Sequence, residues 1–112
     1  MIQDDIESSV GQLEGLTKVA RSLAAKGLIL YRCRYDFQGF GSWLIEAGTS
    51  HRRLQVVQDG KERCVRYQTA RLQNAGGVPE WEERESVPLN TVSNSTELIN
   101  WVATLIDKYG PP

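Results

Sequence analysis

Cysteine is scarce in this chain, with only Cys33 and Cys64. Two cysteines cannot build a disulfide framework, so a reducing, cytoplasmic setting is the expectation. Histidine is scarcer still. His51 is the only one, and no His or Cys stands at ligand spacing from another, which argues against zinc. No metal and no cofactor is expected. No run approaches the roughly 18 apolar residues that span a bilayer. The opening MIQDDIESS lacks the basic and apolar regions of a signal peptide. Also missing are a Gly-rich phosphate loop, GxSxG, HExxH and EF-hand spacing.

Net charge is almost absent too, at −1 overall, which rules out a global field toward nucleic acid or membrane. Its distribution is uneven. Residues 27–71 carry eight bases and four acids, whereas residues 72–112 carry six acids and two bases. A basic middle and an acidic end suit either a binding face or strands that pair with each other.

Arg52–Leu72 is the clearest positive signal. Asp59-Gly60 between two alternating runs predicts a hairpin with a two-residue type I′ turn. That turn sets Val56 opposite Arg63, Leu54 opposite Val65 and Arg52 opposite Tyr67. Leu54, Val56, Val65 and Tyr67 then share one apolar face, while Arg53, Gln55, Val57, Cys64 and Arg66 share the other.

The remaining segments arrange themselves around that hairpin. Near-3.6 spacing of Ile6, Val10, Leu13, Leu16, Ala20 and Leu23 predicts an N-terminal helix. Ser9 and Gln12 have capping-box spacing near Val10, and Asp4 and Asp5 suit an earlier start. Gly11 and Gly15 weaken that helix unless they permit close packing. Gly27 stops it. Leu28–Phe37 reads as a strand with Tyr31, Cys33, Tyr35 and Phe37 on the core face, and Arg32 and Arg34 opposite. Trp43–Ala47 follows, with Phe37 against Trp43 and Glu46 between Arg34 and Arg53. Trp81–Val87 is a fifth strand ending at Pro88. Asn94 caps a second helix whose stripe runs Leu98, Ile99, Trp101, Val102, Leu105, Ile106 and Tyr109. The order α-β-β-β-β-β-α predicts a single α+β domain over residues 1–112. It has two layers, a five-stranded antiparallel meander with both helices on one face. Two strands separate Cys33 from Cys64, so no bridge between them is expected.

In this register Arg53 and Arg66 sit directly opposite each other, and like charges there are destabilising. Glu62 or a fifth-strand glutamate, solvent screening or an anionic ligand would relieve the conflict. Arg32, Arg34, Arg53 and Arg66 therefore form the candidate partner-binding face, with Trp81 as an interface candidate. The leading reading is a small non-catalytic protein–protein interaction module, inhibitor-, chaperone- or adaptor-like, that offers this face to an acidic partner. Nucleic-acid binding by the same face is the alternative, weakened because Tyr31, Tyr35, Phe37, Trp43 and Tyr67 fall on the core side. A small enzyme with an unrecognised site is the third reading. The strand Leu28–Phe37 is an unprotected edge, which predicts either a homodimer through strand 28–37 or cover by the N-terminal helix.

Overall fold

The computed structural model describes residues 2–36, 41–72, 78–92 and 94–110, with side chains at 11 and from 13 onward. Helix α1 spans Ile2–Ala25, so it starts at the earlier of the two expected points, and Ser9 lies inside it rather than capping it. Leu16, Val19 and Leu23 form its buried stripe. The chain leaves α1 through Gly27 at φ +84, a left-handed conformation that favours glycine. There the Leu28 N–H donates to the Leu23 carbonyl at 3.3 Å, satisfying an orphan acceptor at the helix end. Gly11 and Gly15 do not serve close packing, because a Cβ added at either meets nothing within 4 Å.

Strands β1 (Ile29–Asp36), β2 (Ser42–Gly48), β3 (Arg52–Asp59), β4 (Cys64–Arg71) and β5 (Glu82–Pro88) follow in order. They form one antiparallel sheet in the order β1-β2-β3-β4-β5. A 3₁₀ turn at Leu89–Val92 leads to α2, Ser95–Tyr109. Asn94 caps α2, its side chain accepting the Glu97 N–H at 2.9 Å, and Gly110 at φ +79 ends it.

Both helices lie on one sheet face. Trp43, Ile45, Ala47, Leu54, Val56, Val65 and Tyr67 meet Leu16, Val19, Leu23, Leu98, Val102 and Leu105 in one core. Period-2 alternation in the strands and period-3.6 spacing in the helices are both fulfilled there. Each fully buried Leu, Ile or Val contributes roughly 1.5–3 kcal/mol. Tyr67 is wholly buried and donates its hydroxyl to the Gly110 carbonyl at 2.7 Å. The far end of α2 is tied to β5, since Glu85 accepts from both Lys108 and Tyr109, at 3.2 and 3.1 Å.

The faces agree with the sequence pattern; the registers do not. In the hairpin Val56 opposes Tyr67 and Gln58 opposes Val65, four residues away from the expected pairing. Arg52 opposes Arg71, not Tyr67. The reason is Asp59. Its carboxylate accepts the N–H groups of Lys61 and Glu62, at 3.0 and 2.9 Å, and draws four residues, 60–63, into the turn. Arg63 takes the left-handed conformation, φ 56, that a tighter turn would have given to Gly60. Between β1 and β2 the shift is two residues, and Trp43 faces Tyr35 rather than Phe37. Both shifts are even, so the strands keep their buried faces except where a bulge interrupts β1 at Tyr31.

Candidate functional site: the outer sheet face and the β1 edge

The sheet face away from the helices carries the arginines. One row of partners crosses all five strands: Arg32, Glu46, Gln55, Gln68, Glu83. The Arg32 guanidinium donates to Gln55 at 3.3 Å, and the Gln55 amide donates to Gln68 at 2.6 Å. Glu46 lies 3.7 Å from Arg32 Nε and 3.5 Å from Arg53 Nε. It is thus flanked by Arg32 and Arg53, not by Arg34 and Arg53.

Arg53 is the unusual member. It is only 6% exposed, stacks 3.5 Å from the Tyr31 ring centroid, and donates through Nη1 to the Thr49 carbonyl. Its Nε is enclosed and makes no hydrogen bond, so Glu46 holds it as an ion pair alone. A guanidinium so enclosed by its own fold is a structural group.

Arg53 and Arg66 are not neighbours. Arg53 opposes Ala70, and Arg66 opposes Val57. Arg66 pairs with Asp59 at 3.1 Å and with Glu83 at 3.5 Å. Hydrogen bonds from the Glu62 N–H first, and from Arg66, hold the Asp59 carboxyl below its ordinary value, and the Asp59 bond pushes the Arg66 guanidinium up. The charge conflict expected at Arg53 and Arg66 therefore does not exist, because the turn is longer than two residues. Arg32, Arg34, Arg53 and Arg66 are matched on this face by Asp36, Glu46, Asp59 and Glu83, four charges against four. Of the four, only Arg34 has no ion pair among the described residues. Trp81 is half-buried just before β5 and joins none of these contacts.

Tyr31 departs from expectation. The β1–β2 pairing slips between Leu30 and Arg32, leaving Tyr31 as the extra residue of a bulge. Tyr31 is turned to the outer face under Arg53 and is 40% exposed. Nothing in a run of alternating residues announces such a bulge. Ile29 and Leu30 beside it are 56% and 39% exposed, and every residue of β1 except Tyr35 is exposed. Cys33 is exposed rather than a core residue. What desolvation its thiol does undergo pushes it up from the ordinary value. Both cysteines are free.

Elsewhere, His51 is exposed in the β2–β3 turn, its Nδ1 2.9 Å from the Ser50 hydroxyl. No group of three or more metal-binding side chains occurs among the described residues. A cleft of about 460 Å³ opens beside Gly11, Gly15 and Lys18 of α1, floored by Trp43 and Leu98. No helix among the described residues is long and apolar enough to cross a membrane. The chain thus belongs to the class of two-layer α+β domains with one open antiparallel sheet. No protein-family model matches it, and no curated protein or solved structure does either.

Proposed function

We propose that this protein is a small non-catalytic protein-interaction module that captures an extended acidic segment of a partner protein by strand addition along β1. The observation that carries the reading is the edge itself. Among the described residues β1 has a strand on one side only, and its side chains are exposed almost throughout. An added strand completes the ladder with main-chain hydrogen bonds, and its alternating side chains read the two faces. On the outer face such a segment meets Arg32 and Arg34, the latter without an ion pair among the described residues, which favours carboxylates. On the other it meets Leu30 and Cys33, which favours apolar groups. Partner recognition thus moves from the middle of the arginine face, which is neutralised internally, to its border. Two free thiols are in keeping with a reducing, cytoplasmic setting.

Nucleic acid remains the second reading, because Tyr31 supplies an aromatic surface on the outer face. The four carboxylates on that face oppose a polyanion.

The test uses a synthetic peptide of alternating Glu and Val, with a Lys–Val peptide as its counterpart. Saturable binding of the first alone, weakened by Arg34→Glu, supports the proposal. Equal binding of both peptides, or binding of neither, overturns it. If the chain instead pairs with a second copy of itself, sedimentation will show a dimer that Arg34→Glu does not weaken, and the acidic-partner reading falls.

A further inference from the structure

A like-charge conflict does exist in this sheet, at a different pair. Arg52 and Arg71 are direct cross-strand partners at the open end of β3 and β4. They share the helix-side face with Leu54 and Thr69, and both are exposed. Their Cβ atoms are therefore roughly 5 Å apart, a placement that is unfavourable for like charges. Neither guanidinium has an acidic partner among the described residues.

A third arginine faces them. Arg84 is the extra residue of the β5 bulge. Its Nε donates to the Thr69 hydroxyl at 2.9 Å, and its Nη2 pairs with Glu82 at 3.1 Å. Two partners thus fix its direction in advance. Arg52, Arg71, Arg84 and Thr69 line a polar hollow of about 180 Å³, closed on one side by Tyr109. The hollow suits a compact polar group. Glu82 is already committed to Arg84, and Glu80 at the rim makes no ion pair among the described residues.

We propose that this hollow binds a phosphate monoester. Guanidinium forks match the oxygens of phosphate and carboxylate alike. Charge decides between them. Neither Arg52 nor Arg71 is held by a carboxylate among the described residues, and the hollow stays net positive with Glu80 at its rim; a phosphate monoester brings about −1.5 to −2 near neutral pH and three acceptor oxygens for the three guanidinium groups. A carboxylate brings a single charge and two oxygens. The phosphate belongs either to a free small molecule or to a modified segment of a partner, and the chemistry at the hollow is the same. The site is built on β3, β4 and β5 and uses no residue of β1, so either can fail without the other.

The test is titration of the intact chain with inorganic phosphate, phenyl phosphate and acetate, followed by amide chemical shifts. Saturable shifts are expected at Arg52, Thr69, Arg71 and Arg84 with both phosphates and not with acetate. Arg52→Gln with Arg71→Gln should weaken binding by about tenfold or more, while Arg34→Gln leaves it unchanged. Binding should also weaken as pH falls below about 6, where the dianion is protonated. Without ligand the double variant should melt at a higher temperature, because the repulsion is gone, and phosphate should no longer raise it. A phosphoserine peptide that binds more tightly than phenyl phosphate assigns the group to a partner; the reverse assigns it to a small molecule. No saturable shift, equal binding of acetate, or full binding by the double variant overturns the proposal.

Discussion

Replacing Arg53 with alanine is expected to destabilise the fold by about 3 kcal/mol. The stack on Tyr31 at 3.5 Å joins a buried guanidinium to a partly exposed ring, where a cation–π contact contributes about 1 kcal/mol. The hydrogen bond to the Thr49 carbonyl contributes about 1 kcal/mol. Glu46 is then left largely buried with only Arg32, 3.7 Å away, a further loss of about 1 kcal/mol. Arg53→Met keeps the aliphatic stem over Tyr31 and should lose about half as much. Adding Glu46→Gln to Arg53→Met removes the stranded charge and should restore part of the loss, as replacement of a buried pair often does. Urea unfolding is the assay. With a slope of about 1.5–2 kcal/mol per molar, the alanine variant should unfold roughly 1.5–2 M earlier. An alanine variant within about 0.5 kcal/mol of the parent, the range of ordinary surface changes, would refute the structural role and return Arg53 to the pool of arginines available to a ligand.

Asp59→Asn should destabilise by about 1 kcal/mol, because the amide accepts the turn N–H groups but loses the charge that holds Arg66. The Asp59 carboxyl titrates below its ordinary 3.8 when folded, so its contribution is present above that pH and disappears as pH falls through the lower folded value. Acid unfolding followed by circular dichroism should therefore be less steep in the variant; an unchanged curve contradicts this. Tyr67→Phe should cost about 1 kcal/mol by orphaning the Gly110 carbonyl. Burial pushes the Tyr67 phenol above its ordinary 10.0, so its stabilisation holds below that pH and is lost as pH climbs past it. Ultraviolet titration should find one tyrosine un-ionised until the chain unfolds. Gly11→Ala and Gly15→Ala should each stabilise by up to about 1 kcal/mol, since both are helical and an added Cβ is unobstructed. A thermal melt that does not rise would mean that the bare backbone beside the 460 Å³ cleft serves something other than α1.

The sequence was legible wherever burial sets the answer. Leu54, Val56, Val65 and Tyr67 share the buried face as their alternation requires, and Asn94 and Gly110 bound α2 as their chemistry requires. Register was less legible, because any even shift keeps the same residues buried. The choice fell to local hydrogen bonds, above all those of Asp59, which outweighed the preference of Asp-Gly for a two-residue turn. The candidate site suffered most, because it depended on register. Arg53 and Arg66 separated, Arg52 and Arg71 came together, and Tyr31 crossed the sheet through a bulge. Bulges satisfy ladder geometry between two strands, and neither strand's pattern reveals them alone.

Hydrogen exchange along β1 in the presence of the Glu–Val peptide tests the central claim most directly. Strand addition predicts that amides within Ile29–Asp36 whose N–H groups point away from β2 gain protection while the rest of the sheet is unchanged. Protection that appears on β3 and β4 instead, with the β1 amides exchanging as before, would contradict it.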